Sequence, residues 1–199
     1  MTIENTRLLV AEEAARLLFE EGYRDYLVAK QKATQNLGVS TDKSNQPSNM
    51  DVYHAILSRR ELLGTEEDEQ QLQAIRQVAL EAMEFLQRFK PVLVGGALDG
   101  SAGKYSPAVL HLFPSTPEEV IFFLEDNNIP FQTHERKTRI HGRQMMIPFL
   151  RFFVDDFEVE LVLFEEGSRF APQSVITGRA MERCGLEGVR ALLKQNARA

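Results

Sequence analysis

Apolar residues recur three and four positions apart through most of the first ninety residues. This spacing places them on one face of a helix and leaves the charged residues on the other face. The first such segment covers residues 6–22, where Gly22 can end a helix. The predicted apolar face of this helix consists of Leu8, Leu9, Ala11, Ala15, Leu18 and Phe19.

The same pattern predicts further helices before residue 90. A polar segment with Pro47 indicates a loop, and Ser48 or Asn49 after it can cap the next helix. The predicted helices cover residues 23–38, 50–64 and 67–89. We therefore expect an all-helical N-terminal region, which we place at residues 1–89.

The pattern changes at Pro91, where short apolar runs bounded by turn residues begin to predict β-strands. The predicted strands cover residues 91–98, 107–113, 129–140, 144–154 and 157–164, and the predicted helices cover residues 115–128 and 179–195. The order β-β-α-β-β-β-α indicates an α+β fold with a mixed sheet. We assign this domain to residues 90–199.

Charge and composition narrow the function classes. The net charge is -6 and the pI is about 5.3, so general nucleic-acid binding is not expected. No apolar run approaches the roughly 20 residues that span a bilayer, and the N-terminus lacks the features of a signal peptide. Cys184 is the single cysteine, which fits a reducing compartment. We expect a cytoplasmic protein without membrane partners, and the sequence gives no oligomeric state.

A glycine-rich turn follows the first predicted strand, in the sequence VGGALDGSAGKYSPAVLHLF at residues 94–113. Gly95 and Gly96 permit positive φ or a close approach of the backbone to a ligand. Exposed backbone amides after a strand can bind phosphate. The segment is neither a P-loop nor a dinucleotide-binding fingerprint, because no Gly-Lys-Ser/Thr follows and the next unit is a strand. A purely structural turn is the alternative.

The order of these features resembles the nucleotidyltransferase superfamily, which has the polymerase-beta-like fold. The resemblance covers residues 90–165, where Gly95-Gly96 ends a strand and a loop with Gly100 and Ser106 leads to a second strand. It implies two magnesium ions, held by an Asp-x-Asp pair on the second strand and a third carboxylate on a later strand. The N-terminal helices resemble, in a general way, the helical extension of uncharacterised bacterial proteins with such a domain.

The second strand departs from this family pattern because it carries no carboxylate. The two acids of the family would fall on Pro107 and Val109, or on His111 and Phe113 if the strand is shifted. Neither alignment supplies an acid. The resemblance therefore implies a degenerate metal site.

The later strand, FEVELVLF, does supply acids. Glu158 and Glu160 alternate with apolar residues, so both point to one face. They cannot hold two Mg²⁺ ions, which need hard oxygen ligands in near-octahedral geometry. We expect no metal ligands and no cofactor; magnesium would enter only if these glutamates and Asp156 formed an unusual site. Asp155-Asp156 is otherwise a hairpin turn.

His111 and a basic segment are further candidates. His111 could partner a glutamate of the later strand, which would raise its pKa, or lie in the core with one hydrogen bond. The segment HERKTRIHGR at residues 134–143 contains Arg136 and Arg139, which suit bidentate phosphate contacts. A solvated hairpin is the structural alternative.

Three functions fit these features. The first is a nucleotidyltransferase-fold protein that lacks the usual magnesium-dependent transfer and binds a nucleotide or phosphate ligand. The second is an active transferase with an unusual metal site, and the third is a protein-interaction or regulatory module without a small-molecule site. The candidate catalytic residues are Glu158, Glu160 and His111, and the candidate ligand-binding residues are Gly95, Gly96, Ser106, Arg136 and Arg139.

Overall fold

The structure, a computed structural model, describes residues 3–140, 142–167 and 171–196. These residues form an α+β fold with most helices in the N-terminal part and a mixed sheet in the C-terminal part, which confirms the predicted fold class. The helices are α1 Ile3–Glu20, α2 Tyr26–Leu37, α3 Asn49–Leu63, α4 Glu66–Phe85, α5 Gly96–Asp99, α6 Pro117–Asp126 and α7 Leu186–Asn196. The strands are β1 Val92–Val94, β2 Ala108–Leu112, β3 Gln132–Ile140, β4 Arg143–Val154 and β5 Phe157–Leu163.

Capping residues determine where α2 begins and ends and where α3 begins. The Asp25 carboxylate accepts a hydrogen bond from the Val28 amide and caps α2, which ends at Gly38 with φ of 63°. Ser48 and Asp51 form a reciprocal capping box at the start of α3. Each cap satisfies backbone groups that a helix end leaves without intrahelical partners.

The buried stripe of α1 differs from the predicted one. Leu8 and Leu9 are 59% and 40% exposed, so the prediction was wrong at these two positions. Val10, Ala14 and Leu17 are buried instead. The stripe is rich in alanine, whose short side chain suits the packing of α2 and α3 against α1, and Leu8 and Leu9 lie outside that stripe.

The five strands form one sheet in the order β1-β2-β5-β4-β3. β2 and β5 are parallel, and the other neighbouring pairs are antiparallel. β1 and β2 are adjacent, and the predicted mixed sheet is confirmed. The first strand is shorter than predicted, because the chain turns at Gly95 and residues 96–99 form the short helix α5.

The last helix begins later than the sequence pattern suggested. It starts at Leu186, and the residues before it run beside β1 rather than in a helix. The Leu93 amide donates to the Cys184 carbonyl at 2.8 Å, and the Cys184 amide donates to the Leu93 carbonyl at 2.9 Å. This backbone pairing places Arg183 next to the sheet, which matters for the site below.

The described residues divide into two compact units. The first lies within residues 1–72, 100–106 and 175–178, and the second within residues 73–99, 107–174 and 179–199. The division expected at residue 90 between a helical region and an α+β domain stays a prediction. Among the described residues, no helix is both long enough and apolar enough to cross a membrane.

Candidate functional site

One face of the sheet in the second unit carries the chemistry. Because β2 and β5 are parallel and in register, Val109 lies beside Glu160 and His111 beside Val162, so all four share a face. The pairing of β5 with β4 and of β4 with β3 extends this face to β4 and to the edge strand β3. We call it the charged face; it comprises Val109, His111, Glu158, Glu160, Val162, Phe149, Arg151, His134 and Arg136. The opposite face is a buried apolar core that includes Leu110, Leu112, Leu150 and Leu161.

Glu160 is the most buried acid of the charged face, with 3% of its surface exposed. Nη2 of Arg136 donates a hydrogen bond to Oε2 of Glu160 and forms an ion pair with it. The guanidinium of Arg136 also lies 4.7 Å from the centre of the Phe149 ring. The Arg136 side chain is 38% exposed, so its charge lies between the buried carboxylate and solvent.

Glu158 lies on the same face, two residues earlier on β5. Nη1 of Arg151 is 3.8 Å from Oε1 of Glu158, and Nη2 of Arg151 donates to the Gln132 side chain at 2.6 Å. Both glutamates are thus neutralised by guanidinium groups from neighbouring strands.

His111 is buried between β1 and β5, and its surroundings keep it neutral. Burial, followed by the positive charges of Arg183 and Arg136, lowers the pKa of His111 from 6.5 to about 3. The expected rise of this pKa through a glutamate partner is therefore wrong, because Arg136 partners Glu160. The ring meets Phe164 edge to face with centroids 4.8 Å apart. Nδ1 of His111 is buried and has no hydrogen-bond partner among the described residues.

Arg183 reaches this region from the segment that runs along β1. Its guanidinium lies 5.1 Å from the centre of the Phe113 ring and 5.9 Å from the centre of the Phe164 ring. Burial lowers the pKa of Arg183, which stays a cation because its ordinary value is far above neutral pH. The two aromatic rings thus hold a partly desolvated positive charge near His111.

The glycine turn lies at the end of the sheet where β5 begins. Val94 pairs with Val109, which pairs with Glu160, and Gly95 follows Val94 with φ of 73°. The Gly95 carbonyl accepts hydrogen bonds from the amides of Leu98 and Asp99, which closes the first turn of α5. Gly96 is the first residue of that helix.

A buried arginine of α4 supports this turn. Nε of Arg76 donates to the Ala97 carbonyl at 2.8 Å, and Nη2 donates to the Leu98 carbonyl at 3.3 Å. These carbonyls belong to a helix of one turn that cannot satisfy them internally. Arg76 therefore helps to fix the backbone that follows Gly95.

Two sequence-predicted residues are not part of the charged face. Arg139 is on β3 but points to the side opposite Arg136, since it is three positions further along the strand. Ser106 belongs to the first unit, where its hydroxyl accepts a hydrogen bond from the Gly103 amide at 2.9 Å. Glu158, Glu160, His111 and Arg136 are brought together, and their roles stay predictions.

Two arginines of the site were missed from the sequence. Arg151 alternates with Phe149 and Phe153 on β4, and this alternation was a usable signal. Arg183 gave no signal, because the segment around it fits a helical pattern. Asp155 has φ of 50° and lies with Asp156 in the turn between β4 and β5, as the hairpin interpretation predicts.

The charged face does not fit the magnesium ions that the family resemblance implies. The family's two acids would fall on Pro107 and Val109, or on His111 and Phe113, and none of these is a carboxylate. Arg136 and Arg151 also occupy the neighbourhood of the two glutamates. Within residues 3–140, 142–167 and 171–196, no three His, Cys, Asp or Glu side chains are grouped closely enough to hold a metal ion. Placing a dication beside two guanidinium groups would cost electrostatic energy.

A groove of about 650 Å³ lies in the first unit, along α1 and α3. Its apolar lining includes Leu8, Leu62 and Leu63, and its charged lining includes Arg7 and Asp51, which form an ion pair at 3.2 Å. None of the site residues predicted from the sequence lines this groove.

Comparison with known proteins adds no assignment. No protein-family model matches the chain, and no curated protein shows significant sequence similarity to it.

Proposed function

We propose that this chain is a nucleotidyltransferase-like protein with a degenerate metal site, which binds a nucleotide or another phosphate-bearing ligand without magnesium. Three features support the family proposal. Two glycines follow β1, β2 is antiparallel to β1, and the acidic strand β5 is parallel to β2. The glycine turn and the acidic residues also lie at the same end of the sheet.

The ion pair between Arg136 and Glu160 carries the proposal. Glu160 stands at the position of the family's third carboxylate, beside the strand that would bear the other two. A buried carboxylate needs a cation or several donors close by. Here the cation is a guanidinium supplied by β3, so the carboxylate persists at this position without a bound metal ion.

The usual nucleotide transfer is not expected from this arrangement. In two-metal sites the ions activate the attacking oxygen and stabilise the leaving oxygen. Neither Pro107 and Val109 nor His111 and Phe113 supply a hard oxygen ligand for either ion. His111 is also neutral at physiological pH, since its pKa is about 3.

The charges of the region nevertheless suit an anionic ligand. Arg136, Arg151 and Arg183 bring three positive charges, and Glu158 and Glu160 bring two negative charges. Guanidinium groups bind phosphate oxygens with matched geometry and need no metal ion to do so. A phosphate-bearing ligand is the class that the proposed family and this charge balance share.

Calorimetric titration with a panel of nucleoside triphosphates tests the proposal, with each titration done in magnesium and again in EDTA. We expect binding of at least one nucleotide with the same affinity in both conditions. Absence of binding throughout the panel, and of binding by inorganic phosphate, would count against the proposal. An affinity that collapses in EDTA would show that a metal site exists after all.

A transfer assay separates this proposal from the active-transferase alternative. The chain is incubated with labelled nucleoside triphosphate, magnesium and candidate hydroxyl acceptors, and incorporation of label is measured. We expect no incorporation above the level of a Glu160→Gln variant. Incorporation that disappears with EDTA and with Glu160→Gln would establish an active metal site.

The site of action that we propose is the cytoplasm. The support is compositional: the chain has one cysteine and an acidic pI of about 5.3. Such a chain suits a reducing compartment, and nucleotides are abundant in the cytoplasm. Fractionation of cells that express a tagged copy would check the location.

A further inference from the structure

The region around His111 has three properties that are not explained by packing alone. A neutral histidine is buried on the charged face, two guanidinium groups lie close enough to affect it, and one of its ring nitrogens has no partner among the described residues. Buried polar atoms are nearly always hydrogen-bonded in folded proteins, and each exception calls for an explanation.

We propose that His111 and Arg183, together with Arg136, form the contact set for the phosphate group of the bound ligand. This inference deepens the proposed function and rests on it. It assigns the anion to the part of the charged face between β1 and β5, where Phe113 and Phe164 hold Arg183. The glutamates then serve to keep Arg136 and Arg151 in place.

The sign of the local charge selects an anion. The titratable and charged groups that face His111 are Arg183 from the segment along β1, Arg136 from β3, and Glu160 from β5. The two arginines act on the ring in the direction that opposes its protonation, and among the described residues no acid is found to act in the other direction. A ligand atom in contact with this ring is therefore stabilised if it carries a negative charge.

The chemistry of the ring is consistent with a phosphate oxygen. A neutral imidazole has one N–H donor and one acceptor nitrogen. The tautomer that protonates Nδ1 would donate a hydrogen bond to an anionic oxygen, which satisfies the buried atom. The negative charge would also favour the imidazolium form, so ligand binding and protonation of His111 are coupled.

Arg183 is suited to hold the same group. Its guanidinium packs against Phe113 and Phe164 at 5.1 and 5.9 Å from the ring centres. Packing against two rings restricts the side chain before the ligand arrives, which lowers the entropy lost on binding. A planar guanidinium also offers two parallel donors to a phosphate.

NMR titration of the His111 ring in protein labelled with ¹⁵N-histidine tests this contact set. Without ligand, the ring is expected to stay neutral through mildly acidic pH, in line with a pKa of about 3. Saturating ATP or inorganic phosphate should shift the ring signals and raise the pKa of His111. A shift with phosphate alone would place the site on free phosphate, and a shift with ATP alone would require the nucleotide; adenosine should give none.

Variants of Arg183 provide the second measurement. Arg183→Gln should weaken binding of the effective ligand by about tenfold or more, the range for loss of a charged hydrogen bond. Arg183→Lys, which keeps the charge, should weaken it less. Lys137→Gln is the control, because Lys137 follows Arg136 on β3 and lies exposed on the opposite side of that strand; it should leave the affinity unchanged.

Three outcomes would overturn the inference. One is ligand binding with no change at the His111 ring and an Arg183→Gln affinity within about twofold of wild type; the proposed function would then stand with its site elsewhere. Another is an equal shift caused by adenosine, which would show that the ring senses no phosphate. The last is absence of ATP and phosphate binding altogether, which would remove both the inference and the proposed function.

Discussion

Arg136 and Glu160 form their ion pair across an intervening strand. Arg136 is on β3 and Glu160 is on β5, with β4 between them in the sheet. The arginine reaches over the ring of Phe149, whose centre is 4.7 Å from the guanidinium carbon. The pair therefore ties three strands together on the charged face and neutralises a carboxylate that is 3% exposed.

Removing the guanidinium of Arg136 should destabilise the fold. Arg136→Met keeps the aliphatic stem over Phe149 and leaves Glu160 as a buried carboxylate with one cation fewer. Because Arg136 is partly exposed, we expect a loss of about 2 kcal/mol in the free energy of unfolding, below the full cost of breaking a buried pair. Urea unfolding followed by circular dichroism measures it.

Two controls make this prediction specific. Arg139→Met, on the exposed side of the same strand, should change stability by no more than about 0.5 kcal/mol. Combining Arg136→Met with Glu160→Gln should cost less than the two single changes added together, by about 1 kcal/mol. Strict additivity in this double-mutant cycle would show that the two side chains are not energetically coupled.

The free energy of unfolding should decrease at acidic pH because His111 is buried in its neutral form. The pKa of its folded form is about 3, against an ordinary value of 6.5, so between these values the unfolded chain binds a proton that the folded chain does not. The contribution of His111 to the free energy of unfolding is complete above pH 6.5. It is lost as pH falls toward 3, by about 1.4 kcal/mol for each pH unit.

The measurement is the free energy of unfolding across this pH window in three proteins. Wild type and His54→Gln, which changes an exposed histidine of α3, should show the same dependence. His111→Leu should show a shallower one, since it has no ring to protonate. A His111→Leu profile parallel to that of wild type would mean that the buried ring does not titrate as described.

Gly95 should resist substitution for a reason of backbone geometry alone. Its φ is 73°, and a Cβ added there would meet no heavy atom within 4 Å, so only the left-handed conformation opposes a side chain. Gly95→Ala should cost about 1–2 kcal/mol. Gly95→Asn is the matched comparison, because asparagine tolerates positive φ better than alanine, and it should cost less than Gly95→Ala. Thermal unfolding of both variants decides this, and equal costs would contradict it.

The secondary structure was largely predictable because each signal was local. Helical periodicity before residue 90 and short apolar runs after Pro91 gave the fold class, and turn residues gave most element ends. The prediction was wrong for Leu8 and Leu9 of α1 because periodicity does not reveal that alanines form the packing stripe. It was wrong for the start of the last helix because Cys184 pairs with β1, a contact that no local pattern encodes.

The site was predictable only in part, because its pairings depend on strand order. Alternation correctly placed Glu158 and Glu160 on one face. The partner of Glu160 comes from a strand two positions away in the sheet, and the sequence pattern does not specify that order. For the same reason the sequence left open whether His111 has a carboxylate partner or lies in the core, whereas in the structure burial and two arginines decide its protonation.

Our proposal is that the guanidinium of Arg136, and no metal ion, neutralises Glu160. Paramagnetic NMR tests this proposal most directly. The backbone amide signals of ¹⁵N-labelled protein are recorded during titration with Mn²⁺, which broadens the signals of residues near any site that it occupies. The account predicts that the amides of Glu158, Glu160 and their β5 neighbours broaden no more than those of exposed residues elsewhere. Selective broadening centred on Glu158 and Glu160 at low Mn²⁺, reversed by excess Mg²⁺, would contradict it.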